Sequence, residues 1–223
     1  VSAPHGLDAS DIARLTAHGH VERIARRGIV ALDRPTLAVI VEGYFRIFRH
    51  AAFVRDVTLG LGSRGDILAP SVAFGDRPAE TGAEALSEGA VLLLSPERWT
   101  AFAAAEPELN LKLAASIGRR VSRLQKRLEE QSRWGVQSRV AAVLVELADE
   151  FGAAAATGFR LDLPLSQEDL ARLAGTTRET CSSAVAEFAR RGFVRGGRLR
   201  GMLVLDREAL RDLAETGAPA KSI

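Results

Sequence analysis

Residues Ser166 to Arg191, SQEDLARLAGTTRETCSSAVAEFARR, constrain the fold more than any other stretch. They read as two short helices joined by a tight turn. Ser166 is a good N-cap, and Asp169 three residues later gives a capping-box-like start. Leu170, Leu173 and Ala174 form an apolar face at helical spacing. Gly175 ends the first helix, where positive φ is usually required. Thr176 or Thr177 caps the second helix, expected over about Arg178 to Arg191. Cys181, Ala184, Val185 and Phe188 point one way. Arg178, Glu179, Ser182 and Ser183 are left on the other face, near the N-terminal end. A helix-turn-helix uses that end to touch base edges in the major groove.

The flanking residues extend the motif. Gly192-Phe193-Val194-Arg195 leads into Gly196-Gly197, a hairpin-turn signal, and Arg198 to Leu205 returns as a strand. A helix-turn-helix followed by a basic two-stranded wing is a winged helix. Arg195, Arg198 and Arg200 on the wing suit phosphate contacts. Arg178 can fork onto guanine O6 and N7, and Glu179 can accept from cytosine N4. Ser182 and Ser183 can contact base or phosphate.

The stretch LSQEDLARLAGTTRETCSSAVAEFARRGFV resembles the DNA-binding domain of the cyclic-AMP receptor protein/FNR family of bacterial transcription regulators. It departs from the usual pattern at Cys181, where Val is common, and at Ser183, where a second Arg is frequent. The resemblance implies that Arg178 and Glu179 read a G·C pair, with Gln167, Thr176 and Thr177 on phosphates. It also implies a homodimer on an inverted-repeat site in double-stranded DNA, and RNA polymerase as a further partner.

With 223 residues, 47% of them hydrophobic and 26% charged, the chain has room for two globular domains. Its formal net charge of +2 says little about nucleic acid, although Arg carries nearly all the positive charge. The single cysteine, Cys181, excludes a disulfide or an all-cysteine cluster within one chain. Its place in the second helix raises a redox switch beside the plainer reading of a small buried hydrophobe. No apolar run reaches the roughly 18 residues of a membrane span, and the N-terminus does not read as a signal peptide, so a cytoplasmic location is expected.

Asp8 or Ser10 is expected to cap a first helix carrying Ile12 and Leu15. His18 and His20 could serve a metal, but no ligand cluster adjoins them, so a surface turn is the plainer reading. From Ile29 to Leu94 short runs alternate with turns. Strands are expected at Leu37 to Val41, Tyr44 to Phe48, Val54 to Leu61, Ile67 to Leu68 and Ala90 to Leu94, forming a small antiparallel roll. Residues 75–89 read as a loop. The segments VIVEGYFRIF and LGLGSRGDIL resemble the same family's roll, so the resemblance reaches this domain more weakly.

In the family's cyclic-nucleotide binders, a Gly-Glu pair after the Gly-Asp turn and a later Arg followed by Ser or Thr hold the ligand. The corresponding positions here are Ala69-Pro70 and Glu80-Thr81. Proline removes an amide donor, and Glu80 puts negative charge where the phosphate needs positive. Arg77 lies near. The resemblance therefore points to a degenerate nucleotide site.

Pro96 starts a short helix and Pro107 a longer one. Leu113, Ile117, Val121, Leu124 and Leu128 recur at spacings of four and three, the seam of a two-stranded coiled coil. The family dimerises through a helix here, and its cyclic-AMP binders offer a small polar pair where this chain has Leu124 and Gln125. Trp134-Gly135 is the expected hinge. Val140, Val143, Leu144 and Leu147 mark the next helix, and Arg139 to Ala148 matches a run frequent in the family. Gly152 to Gly158 reads as an alanine-rich loop, the place that touches RNA polymerase in family activators.

The expected fold is α+β: a β-roll over 1–106, a dimerisation helix and hinge over 107–134, and a winged helix-turn-helix over 135–223. The expected function is a homodimeric, sequence-specific DNA-binding regulator that does not depend on cyclic nucleotide, with no cofactor, metal or catalytic residue assigned. The alternatives are gating by another small molecule or haem in the roll, a structural DNA-binding protein, and a cupin-like enzyme. The last would need an inward His/Glu metal set, and His50 is the only histidine near the strands.

Overall fold

The computed structural model describes residues 6–32, 36–51, 54–68, 81–196 and 199–216, which form two compact units, 1–124 and 125–223. The first opens with helix α1 (Ala9–Thr16). Asp8 caps it by accepting from the Ser10 and Asp11 amides, and Asp11 accepts from the Asp8 amide in return. Among the described residues seven strands follow: β1 (His20–Ile24), β2 (Ile29–Ala31), β3 (Leu37–Glu42), β4 (Phe45–Ala51), β5 (Val54–Gly62), β6 (Thr81–Ala85) and β7 (Gly89–Leu94). They pair antiparallel in two sheets, in the orders β1-β7-β3 and β2-β6-β4-β5.

Alternation of side chains across the pleat decides what each face buries. Val30, Phe45, Ile47, Ala83 and Ala85 meet Ala38, Ile40 and Val91 between the two sheets. The other face of the first sheet, with Leu37, Val39, Leu92 and Leu94, lies under three helices. These are α1, with Ile12 and Leu15, then α2 (Pro96–Ala105), with Trp99 and Phe102, and α3 (Pro107–Arg133), with Leu109 and Leu113. Pro96 stands at the first turn of α2 behind the Ser95 cap, as its sequence required.

Two differences from the sequence reading have a packing cause. Residues 75–89 were expected to be loop, yet Thr81–Ala85 is strand β6, paired with both β2 and β4. Its Gly82 lies under the Phe48 ring, where a Cβ would stand 2.6 Å from Cζ, so the small residues that read as loop are those this strand accommodates. Ile67, expected in a strand, makes a single bridge to Val39.

The Gly65-Asp66 turn is tied to the start of the chain. The Leu7 amide donates to the Gly65 carbonyl at 2.9 Å, and a Cβ on Gly6 would meet that oxygen at 2.4 Å. Gly65 itself has φ +90°, and a Cβ there would stand 2.3 Å from the Leu7 carbonyl oxygen.

The second unit holds α4 (Val136–Phe151), β8 (Ala153–Ala154), β9 (Phe159–Asp162), α5 (Gln167–Leu173), α6 (Arg178–Arg190), β10 (Val194–Arg195), β11 (Arg200–Val204) and α7 (Arg207–Thr216). Its sheet runs β10-β11-β9-β8. Gly152 to Gly158, expected to be loop throughout, thus supplies the edge strand β8, paired through Ala153 with Arg160. Val140, Leu144, Leu170, Val185, Phe188, Met202 and Leu210 are among its fully or nearly fully buried residues.

Candidate nucleic-acid interface

Ser166 caps α5 as its sequence implied. Its hydroxyl accepts from the Asp169 amide at 3.2 Å, and Asp169 Oδ2 accepts from the Ser166 amide at 2.9 Å. Gly175, at φ +61°, closes the helix. The Thr176 amide donates to the Ala171 carbonyl and the Gly175 amide to the Arg172 carbonyl, the two bonds of a Schellman ending. Thr177 then caps α6, its hydroxyl accepting from the Thr180 amide at 3.3 Å. The turn between α5 and α6 is therefore fixed by backbone hydrogen bonds at its start and by the Thr177 hydroxyl at its end.

The first turn of α6 is bare. Arg178, Glu179 and Ser183 are exposed and Ser182 is half-buried. Among the described residues Arg178 meets no hydrogen-bond or ion-pair partner, and Ser183 only donates to the Glu179 carbonyl at 3.0 Å. On the opposite face Cys181, Ala184, Val185 and Phe188 are buried. Burial pushes the Cys181 thiol up to about 11, which keeps it protonated near neutral pH. Thr177 is exposed, while Gln167 and Thr176 are half-buried on the turn side.

The wing is shorter than its sequence suggested. β10 pairs with β11 through Val194 with Val204 and Arg195 with Leu203, and the return strand starts at Arg200. Arg195 and Arg200 are exposed, with Arg200 Nε 4.0 Å from Asp162 Oδ1. The Arg191 guanidinium stacks 4.5 Å over the Phe193 ring beneath the wing. Arg198 lies outside the described residues.

The seam expected on α3 is rotated. Leu113 is 0% exposed, so its side chain is used by the core of its own unit, and Ile117 is half-buried against the same core. Leu124 is half-buried. On α3 the exposed large apolar residues, among those described, are Leu111 at 72%, Val121 at 47% and Leu128 at 66%. With Ala114, Gly118 and Gln125, also exposed, they recur at spacings of three and four. A heptad count begun at Leu111 would have found this stripe.

Trp134 and Gly135 form the break between α3 and α4. Gly135 has φ −63° and a Cβ there would meet nothing within 4 Å, so the bend as it stands does not demand glycine. Of the expected effector positions, Ala69, Pro70 and Glu80, with Arg77, lie outside the described residues, and Thr81 opens β6 opposite Arg49. His18 lies in the turn after α1, its ring 5.0 Å from that of Phe102, and His20 begins β1. His50 is exposed and pairs with Asp56 at 3.0 Å. Among the described residues no cluster of three or more His, Cys, Asp or Glu could hold a metal, and no helix is long and apolar enough to cross a membrane.

Residues 138–213 match the Crp-like helix-turn-helix domain. The CRP-like cAMP-activated global transcriptional regulator of Mycobacterium tuberculosis is 30% identical over 203 residues, covering 90% of this chain and 89% of that protein. The chain belongs to the cyclic-AMP receptor protein/FNR family of transcription regulators. Solved structures agree on the fold of this CRP/FNR-family regulator. A CooA mutant from Carboxydothermus hydrogenoformans superposes with TM-score 0.77 at 19% identity, covering 90% of each chain. FixK2 from Bradyrhizobium japonicum gives 0.75 at 20%, covering 91% of this chain and 99% of that one. The CRP/FNR-family regulator is a DNA-binding protein and not an enzyme, which removes the cupin-like alternative.

Proposed function

We propose that this regulator works as a homodimer that reads an inverted-repeat operator without cyclic nucleotide. The observation that carries the reading is Arg178, exposed and without a partner among the described residues, beside exposed Glu179 on the first turn of α6, the place from which a recognition helix reads base edges. Ser182 and Ser183 extend that surface. Gln167, Thr176 and Thr177, with the wing residues Arg195, Arg198 and Arg200, serve the phosphates.

The exposed α3 stripe from Leu111 to Leu128 supports the dimer, since apolar side chains at heptad spacing gain from a second helix. Gln125 falls within the stripe and would set its register. Two copies place two α6 helices on half-sites about one helical turn apart, roughly 34–36 Å. The exposed segment from Ala153 to Thr157 is the surface we assign to RNA polymerase. The roll, the dimer helix and the winged helix-turn-helix act as three functional segments, 1–106, 107–134 and 135–223.

Nucleotide independence rests on Pro70 and Glu80, which replace a carboxylate and a cation the ligand needs, and on Ala69. The opposite reading, activation by cyclic AMP, is favoured by the relative in Mycobacterium tuberculosis, which is described as cAMP-activated.

Fluorescence-polarisation titration against a pool of inverted-repeat duplexes, at about 0.15 M salt with and without cyclic AMP, separates the two. Selective binding that ignores the nucleotide is the expected result. Binding that appears only with cyclic AMP would establish the opposite reading. The absorbance spectrum of the same preparation reports haem directly.

A further inference from the structure

Arg139 stands in the first turn of α4 and is half-buried. Its guanidinium spends three donors on backbone carbonyls from two separate segments. Nη1 donates to the Trp134 carbonyl at 3.1 Å. Nε donates to the Ala174 carbonyl at 3.0 Å and Nη2 to the Gly175 carbonyl at 3.2 Å. The first segment is the break before α4; the second is the turn of the helix-turn-helix.

The chemistry of that turn makes the contact consequential. A helix leaves its last carbonyls without intrahelical partners. The Schellman bonds of α5 use the carbonyls of Ala171 and Arg172. The carbonyls of Ala174 and Gly175 lie beyond these, and the Arg139 fork takes both. Thr177, the cap of α6, lies two residues beyond Gly175, so whatever fixes Gly175 fixes the start of the recognition helix. A rigid planar fork spans two carbonyls in a way that a single ammonium does not.

We infer that Arg139 is a positioning residue for operator recognition, clasping the backbone at Trp134 to the helix-turn-helix turn so that the N-terminus of α6 keeps a fixed aim. This rests on the reading of α6 as the base-reading helix. Phosphate contacts carry no sequence information, whereas base contacts through Arg178 and Glu179 do. Loss of the clasp therefore costs selectivity before it costs non-specific affinity.

The test uses the full chain carrying Arg139→Gln, Arg139→Lys or, as a control, Arg178→Ala. Each is titrated against a duplex enriched from the inverted-repeat pool by the wild-type protein and against a scrambled duplex of equal length. Amide hydrogen exchange is followed in parallel. In Arg139→Gln the ratio of the two affinities is expected to fall about tenfold, as loss of a charged hydrogen-bond set implies. Binding to the scrambled duplex should hold, and exchange should quicken at Gly175 and Thr176 but not along Val140 to Ala148. Arg139→Lys should recover part of the ratio.

An unchanged ratio would overturn the inference. So would equal loss on both duplexes with faster exchange along α4, the signature of a residue that only stabilises its domain. If the wild type shows no selectivity, or Arg178→Ala keeps it, the reading of α6 fails instead. The exchange data then decide the clasp alone: local quickening at Gly175 and Thr176 supports it, and its absence overturns it.

Discussion

Arg46 donates to one oxygen of Glu84 through two nitrogens, Nε at 3.0 Å and Nη2 at 2.6 Å, with both side chains nearly buried on the β-roll. Arg27 takes the other oxygen at 2.7 Å, and it does so from a left-handed backbone, φ 70°. The Arg46 guanidinium also lies 4.5 Å over the Phe48 ring. Burial raises the Glu84 carboxyl, but hydrogen bonds from Arg27 and Arg46 outweigh it and hold the group below its ordinary value of 4.5. A depressed carboxylate contributes stability that is complete above its unfolded-state value and is lost as pH falls through the folded one. Glu84→Ala, which strands Arg46, is expected to cost about 3–5 kcal/mol at neutral pH. Its penalty should shrink below about pH 4 in chemical unfolding followed across pH.

The Cys181 thiol, buried and pushed up to about 11, should not react with a disulfide reagent in the native protein and should react fully once the chain is unfolded in urea. Cys181→Ser places a hydroxyl in that apolar setting and should lower stability by about 1–3 kcal/mol without changing the bases preferred. Rapid native labelling with loss of operator binding would instead support a redox switch.

Two leucines of α3 separate partner contact from core packing. Leu128→Glu should weaken the dimer in sedimentation at micromolar concentration while leaving the thermal transition of the roll in place. Leu113→Ala should destabilise the roll by about 2–5 kcal/mol, because it empties a filled core position. Gln125→Leu should tighten self-association and loosen its register, as a polar core position does in reverse.

At the DNA, Arg178→Ala should remove about 1–3 kcal/mol of discrimination at one base pair of each half-site. Arg200→Ala should weaken binding to all sequences alike and lower the salt slope by about one per site. Titrations at three salt concentrations on matched and mismatched duplexes distinguish the two.

The helix-turn-helix was legible because its signals are local. Ser166, Asp169, Gly175 and Thr177 each specify a backbone event within three residues, and the structure places each event there. Strand β6 was not legible, since Gly82 and Ala83 owe their places to Phe48 and β2, far away in sequence. The α3 stripe misled for a related reason. Leu113 and Leu111 both fit a heptad, and only the sheet packed beneath the helix decides which one faces outward. Arg139 carries no local signal for its fork, because Ala174 and Gly175 lie more than thirty residues on.

The mutual fit of Gly6 and Gly65 bears on how the roll tolerates change. Each backbone occupies the volume in which a methyl group on the other's segment would sit, and Gly65 adds a left-handed φ. A saturation library across the first unit should therefore show two silent columns, 59 positions apart, in which every variant is depleted. Lengthening or truncating the chain ahead of Gly6 would be accepted only if it kept Leu7 seated against the turn. A fusion partner joined there needs a spacer that begins upstream of that seat.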